Sequence, residues 1–551
     1  MAAMVRTPGL SAAATLLLLL GAACVVAAAP PRRHRILALI PMSGTSHSFE
    51  ILAVAGLLAT RHNVTVATPA AGLDHTLAAI RRLGADAGPM RVDAVAELPD
   101  FRDLMKHIRP SGTASAPTSL HALFRAMARM PAVMAGHCGR LVANTTLMEA
   151  WRGFDAVLTF PFCPPAVDSC ACVVSHAIGA PLVYSRNMVL LFPPIDVPQM
   201  GTGLTRSEVR GTWSGFLQNA ATWAVSATAR RTLGFLEAHH FWRLRNQLGL
   251  PLGSERSGRT CRPWVEVVSS SWLLEEPQPL EPPQVIIGPI SARPSHPAIV
   301  DAPIAAFAEA AQASGHGLVL VSFGSISDVF GGALDITDYE NLALAFADLA
   351  PVSVLWQLAP GALPASIKSA QDLPLGSNTV VVPWVPFNDV LGHPATRAVV
   401  THGGLKSMYE ALFQGVPMVV LPFVYEQLAN GRRAAARGYG LVSPESPAAR
   451  PKGVRFSRDG LSSLVRKVLT PSPYASAAEQ AGAALRLAYD QHRPLERAAE
   501  EIELALLHKG YHTISGPGEE SAAEMLAKAS SRADRLKGDI VRSEAGLRAE
   551  L

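Results

Sequence analysis

From Val382 to Asn430 the chain reads VPWVPFNDVLGHPATRAVVTHGGLKSMYEALFQGVPMVVLPFVYEQLAN. The apolar run RAVVT stops at His402, Gly403 and Gly404 and passes at once into a helical pattern. In an open α/β sheet, the corner beyond a strand's carboxyl end is where a helix amino terminus offers free N–H groups and a partial positive charge to an anion. The paired glycines let the backbone approach such an anion closely, because no Cβ intrudes. His402 can donate to a phosphate oxygen, and Lys406 adds a full charge in the first helical turn. Glu410, about one and a half turns along, suits a ribose diol, and Trp384 in a strand-end loop offers a flat surface for a base. Taken singly, HGG is an ordinary tight turn and Trp384 a core residue. Together, at these spacings, they point to a nucleotide.

The elements around this corner define the frame that must hold it. At 551 residues the chain exceeds what one core accommodates. With 49% apolar and 17% charged residues it is globular, and a formal charge of +4 without a long basic run excludes nucleic acid as the natural partner. RILALIPM (35–42) reads as a buried strand, followed by a polar turn, SGTSHS, the helix FEILAVAGLLATR and a second strand, NVTVATP. FDAVLTF and APLVYS are inner strands on either side of the helix VDSCACVVSHAIG. The proline-rich LLEEPQPLEPPQVIIGPI (273–290) breaks regular structure and marks a linker. Beyond it, GLVLVSFGS, VSVLWQL, TVVVPWV, RAVVTHGG and VPMVVLP supply five strands, with helices between several. Alternation in both halves implies an α/β protein with two facing, doubly wound parallel sheets. The expected divisions are a leader over 1–29, a first domain over 30–272, a linker over 273–295 and a second domain over 296–475. Crossing helices over 476–515 and a polar helical tail over 516–551 complete the chain.

The first residues, with Arg6, an uncharged stretch to Ala29 and then Pro30, read as a secretory signal cleaved near Ala29 or as a retained anchor. This places the chain in the secretory pathway, lumenal or secreted, with membrane association only if the leader is kept. Cys138, Cys163, Cys170, Cys172 and Cys261 lie beyond the leader; they read as buried structural residues, and no metal site is expected. Of two N-x-[ST] sequons, Asn144 is favoured for glycosylation over Asn63, which falls inside a strand pattern.

The 382–430 stretch resembles the signature of the UDP-glycosyltransferases, the family that includes animal glucuronosyl- and glucosyltransferases. The similarity extends to SGTSHSFE, FDAVLTFPF, VSFGSISD and RPLERAAEEIELALLHKG. It implies the GT-B fold, with two Rossmann-like domains and a carboxyl-terminal helix returning to the first. The implied reaction is inverting transfer of a hexose from a UDP-sugar to a hydroxyl of a small lipophilic acceptor, with no cofactor beyond that co-substrate. By the resemblance, Trp384 stacks on uracil and Glu410 holds the ribose. His402, Gly403, Gly404 and the backbone near Ser407 cradle the diphosphate, which Ser325 reaches from another loop. Glu426 and Gln427 stand where an Asp-Gln pair hydrogen-bonds the sugar, and His47 matches the general base. A histidine titrates near the operating pH and can take the acceptor's proton, an effect of about 10²- to 10⁴-fold.

Several positions depart from the family pattern. Phe160 replaces the aspartate that orients the base, leaving Asp168 as a substitute acid, an unassisted His47, or lost catalysis. Phe387 replaces a glutamine near uracil, Gln357 a frequent arginine and Lys406 a frequent asparagine; the lysine is a candidate to compensate at the diphosphate. The expectation is therefore a UDP-hexosyltransferase, with glucose preferred because Glu426 suits a glucuronate carboxylate poorly. The alternatives are a catalytically silent, nucleotide-sugar-binding relative and a sterol or other glycosyltransferase of the same fold.

Overall fold

The computed structural model describes residues 32–40, 46–84, 87–99, 120–160, 166–188, 195, 197–199, 204–248, 263–280, 283–324, 334–364, 366–423, 425–445, 456–469 and 472–508. The first lobe runs β1 (Arg35–Leu39), α1 (Ser46–Ala59), β2 (Asn63–Pro69), α2 (Leu73–Leu83), β3 (Met90–Val95), α3 (Leu120–Ala143), α4 (Thr145–Trp151) and β4 (Ala156–Thr159). It continues through α5 (Ala166–Ile178), β5 (Leu182–Arg186), α6 (Arg206–Gly211), α7 (Trp213–Leu248), β6 (Val265–Val268) and β7 (Gln284–Ile286). The second lobe runs α8 (Ala302–Ala313), β8 (Leu318–Ser322), α9 (Ile336–Ala347), β9 (Ser353–Gln357), β10 (Thr379–Val382), α10 (Phe387–Leu391), β11 (Thr396–Thr401) and α11 (Leu405–Phe413). Then come β12 (Met418–Val420), α12 (Tyr425–Ala436), β13 (Gly440–Val442), α13 (Arg458–Leu469), α14 (Pro473–His492) and α15 (Pro494–Leu507).

Two parallel sheets result, in the order β3-β2-β1-β4-β5-β6-β7 and β10-β9-β8-β11-β12-β13. The inner strands are near-continuous apolar runs because helices cover both faces: Ile36–Leu39, Val319–Val321 and Ala398–Val400 are buried. This is the α/β architecture with two Rossmann-like domains that the alternation predicts.

Four strands have no counterpart in the sequence reading. β3 carries Arg91 and Asp93, paired at 2.7 Å, in a half-exposed edge strand with a weak apolar signal. β6 interrupts its apolar run with Glu266, which is buried against Arg186 of β5. β13, three residues long, is too short for a period to register. β7 is a correction: it lies inside the proline-rich stretch expected to hold no regular element. Pro283 precedes it and β7 is an edge strand, so the missing N–H costs the sheet no central hydrogen bond.

The carboxyl-terminal helix returns to the first lobe. Ala498, Ala499, Ile502, Ala505 and Leu506 of α15 are buried in the first lobe's core. Glu503 accepts from Arg61 at 2.8 Å and pairs with His62 at 2.9 Å at the end of α1.

Three further expectations shift. Helix α1 begins at Ser46, so the SGTSHS segment is not a turn throughout and His47 stands in the first helical turn. Cys138 and Cys170 join α3 to α5 as a disulfide. The sequon preference meets mixed geometry: Asn63 falls in β2 as expected but is exposed, whereas half-buried Asn144 caps α4 through Leu147 N–H and donates to Glu97 at 2.8 Å. The leader and the 516–551 tail lie outside the described residues. Among those described, no helix is long and apolar enough to cross a membrane.

Candidate active site

Each sheet reverses its strand order once, between β1 and β4 in the first lobe and between β8 and β11 in the second. At such a switch point successive crossovers leave in opposite directions, and a crevice opens beyond the strand ends. His47 follows β1 and Phe160 follows β4. Gly324 follows β8 and His402 follows β11. The sequence's corner therefore stands at the second lobe's switch point.

His402 is 5% exposed, and its Nδ1 has no hydrogen-bond partner among the described residues. Burial pulls its pKa down to about 4, so the ring is neutral above that pH. Glycines make room for it: a Cβ on Gly324 would lie 2.8 Å from His402 Cε1, and one on Gly404 2.6 Å from Nε2. Gly403 needs to be glycine for a different reason. It adopts φ +90°, and a Cβ there would meet Val420 Cγ1 at 2.8 Å and Gln427 O at 2.9 Å. The helix that follows, α11, starts at Gly404 with no side-chain cap, so its first-turn N–H groups are directed at the crevice without a side-chain acceptor.

The depressed pKa makes a stability prediction. Unfolded His402 takes up a proton near 6.5 and the folded residue only near 4, so the unfolded chain binds more protons in between. Stability is thus lost as pH falls from 6.5 to 4 and is insensitive to this group above 6.5. The loss attributable to His402 is about 3 kcal/mol. Acid titrations of unfolding free energy should be shallower by that amount in His402→Gln.

Trp384 is 49% exposed beyond β10, and the Arg82 guanidinium of α2 in the first lobe lies over its ring, 5.7 Å from the centroid. Gln357, at the end of β9, accepts from Ser322 Oγ at 2.7 Å, and that oxygen in turn accepts from Gly324 N–H at 3.3 Å. Phe387 is half-buried at the start of α10 and packs on the second lobe's core. Ser407 and Glu410 are half-buried on α11. Burial raises the Glu410 carboxyl to about 8, with Lys406 and then Arg293 opposing the rise. A proton therefore sits on it near neutrality.

Two expected roles change. Lys406 does not turn to the diphosphate corner; its Nζ crosses to the first lobe and pairs with Glu50 Oε1 of α1 at 3.4 Å. Its long stem projects from the first turn of α11 toward a buried carboxylate, which attracts it across the crevice. Gln427 is 1% exposed, with Oε1 accepting from Phe423 N–H at 2.8 Å, so it supports the turn beneath Gly403 rather than reaching outward. Glu426 is half-buried in the first turn of α12, where Asn430 Nδ2 donates to it at 3.4 Å and burial raises its pKa.

Ser325 lies outside the described residues. The backbones of His47 and Asp168 are described, in α1 and α5, but their side chains are not. Phe160 is 3% exposed within the first lobe's core, so the residue that follows β4 supplies no carboxylate. The sequence reading missed Glu50, Arg82 and Tyr409, all of which bridge the lobes. Tyr409 of α11 accepts from Ser271 N–H at 2.8 Å, donates to Ser271 O at 2.9 Å and contacts Ser270 Oγ at 2.9 Å, and burial raises its pKa. Tyr409 is buried among apolar neighbours of α11, and no local signal in the sequence marks its distant hydroxyl partners.

Comparison with known proteins decides the family. Residues 258–515 match the family model described as UDP-glucoronosyl and UDP-glucosyl transferase. UDP-glucuronosyltransferase 2A1 of Rattus norvegicus is 28% identical over 85% of this chain and 84% of its own length. The chain belongs to the UDP-glycosyltransferase family. UDP-glucuronosyltransferase 2A3 of Homo sapiens is likewise 28% identical, over 68% of this chain and 66% of the relative. Among solved structures, the glycotransferase of kitacinnamycin superposes with a TM-score of 0.55 at 20% identity, covering 86% of this chain and all of that one. LpCGTa, solved in complex with UDP, gives 0.53 at 18% identity over 86% of this chain. These neighbours carry the GT-B fold, and so does this glycosyltransferase.

Proposed function

We propose that the enzyme transfers a neutral hexose, glucose foremost, from a UDP-sugar to a hydroxyl of a small lipophilic acceptor with inversion. The supporting observation is His402: a buried imidazole with an unpartnered nitrogen, beside an uncapped helix start at a switch point, is a donor set that an anion completes. In this reading Trp384 stacks on uracil, on the ring face that Arg82 leaves open, and Glu410 accepts from the ribose. Gly403, Gly404 and the first turn of α11 through Ser407 hold the diphosphate together with His402. Gln357 and Ser325 border it. His47 takes the acceptor's hydroxyl proton as that oxygen attacks the anomeric carbon. The bond from that carbon to the UDP oxygen breaks, and UDP departs with its charge directed at the helix start.

The neutral sugar follows from Glu426. Its carboxyl lies near Glu275 and already has a raised pKa, so a glucuronate carboxylate beside it would add like charge to a buried site. Comparing UDP release from UDP-glucose and UDP-glucuronate tests that choice directly. The leader pattern and the Cys138–Cys170 disulfide favour the secretory pathway.

The donor assignment is tested at Trp384. Half exposed, it contributes little to the core, so Trp384→Ala should leave the fold intact. It should weaken UDP binding by about 1–3 kcal/mol, roughly five- to 150-fold in Kd by calorimetry. Unaltered affinity would remove the base from this position.

A further inference from the structure

The end of β4 carries Phe160 where the proposed base would need an acid, yet a buried carboxylate stands elsewhere in the same crevice. Glu50 occupies α1 three residues after His47, and positions three apart on a helix share a face with Cβ atoms about 5–6 Å apart. Helical side chains lean back over the preceding turn, which carries the Glu50 carboxylate toward the His47 position. Glu50 is 4% exposed. Its Oε1 has two partners, Lys406 Nζ of α11 at 3.4 Å and Ser269 Oγ beyond β6 at 3.3 Å. Its Oε2 has no hydrogen-bond partner among the described residues. A carboxylate buried this deeply is costly unless it is paired, and an apolar residue would pack the interface at least as stably. Lys406 supplies the pairing from the opposite lobe.

We propose that Glu50 is the positioning residue of His47: held by Lys406 and Ser269 through one oxygen, it accepts the imidazole N–H on the other and stabilises the imidazolium formed during transfer. This rests on the reading of His47 as general base. It also gives Lys406 a task at this position, since a lysine in the first turn of α11 fixes the carboxylate when the lobes face each other. The charged group facing both members of the pair is Glu410 on α11, which in turn faces Arg293 in the segment entering the second lobe and Asp389 on α10. Burial raises the Glu50 carboxyl and lowers the Lys406 ammonium, and their mutual attraction opposes both shifts.

The test compares His47→Ala, Glu50→Gln, the double variant and Lys406→Met in the full chain, with UDP release from UDP-glucose and a phenolic acceptor as the assay. Labelled-histidine NMR, with the His47 signal assigned by its loss in His47→Ala, reports the imidazole itself. Glu50→Gln keeps shape and hydrogen bonding but loses the charge. It should lower kcat about tenfold to a hundredfold, leave the KM for UDP-glucose within about twofold, and drop the His47 pKa by about one unit. The double variant should be no slower than His47→Ala, because the two residues act as one unit. A merely structural pair would instead give Glu50→Gln and Lys406→Met equal losses of thermal stability with an unmoved His47 pKa, and that result overturns the proposal. So would multiplicative losses in the double variant. Should Glu50→Gln not fold, Glu50→Asp must retain the His47 pKa while lowering kcat; a shifted pKa there counts against the proposal. If His47→Ala alone leaves kcat unchanged, the base reading itself fails, whatever Glu50 does.

Discussion

Replacing His47 with alanine is expected to lower kcat by about 10²- to 10⁴-fold while leaving UDP affinity unchanged. An alcohol or phenol is a poor nucleophile until its proton begins to leave, and the anomeric carbon must be attacked as UDP departs. An imidazole is neutral and basic near pH 7, so it can take that proton in the transition state. His47 lies in the first turn of α1, after β1 and beside the first lobe's switch point, in the lobe opposite the His402 corner. None of the groups proposed to hold UDP belongs to that lobe, so the variant should bind UDP with wild-type enthalpy in calorimetry. Stopped turnover with intact binding identifies the base. An unchanged kcat would return the enzyme to an unassisted mechanism, and lost binding would place His47 in the donor site instead.

Gly403→Ala should cost the second lobe both stability and UDP binding. Its φ of +90° costs an L-residue about 1–2 kcal/mol. The new Cβ would also sit 2.8 Å from Val420 Cγ1 and 2.9 Å from Gln427 O, an overpacking of about 1–3 kcal/mol. Both neighbours are buried and neither is the end of a flexible side chain, so the turn itself must move. His402 and the start of α11 move with it. The expected result is a fall in Tm of about 5–15 °C together with loss of measurable UDP affinity. Gly315→Ala supplies the control: φ is +73° there too, but the Cβ would have nothing within 4 Å. That variant should carry the strain alone and bind UDP normally. Equal behaviour of the two would mean that the Gly403 corner is an ordinary turn.

Much of this was legible in the chain itself. RAVVTHGGLKS announces a buried strand, a turn only glycine can make and a helix start, because each signal depends on neighbours within a few positions. The same holds for α1, whose apolar face is continuous, and for the strand alternation that required two parallel sheets. Where a strand was short, at an edge or charged, as in β13, β7 and β3, the local signal fell below what a period can reveal. The roles of side chains were less legible than the backbone. Lys406 read as a phosphate ligand because its position in the first turn of a helix is local information; that it reaches Glu50 is not. Gln427 read as facing the sugar beside Glu426, but neighbours on a helix point about 100° apart, and packing under Gly403 turned one inward.

The sequence by itself thus carried the resemblance to the family, in the 382–430 motif, and the two-sheet frame, in the alternation of strands and helices, since both are written in local patterns along the chain. Only the tertiary structure decided which charges meet across the crevice: Glu50 with Lys406, Arg82 with Trp384, Tyr409 with Ser271. Each of those pairs joins residues far apart in the chain, and their contact exists only once both lobes are folded and the buried groups must find partners for the hydration they have lost.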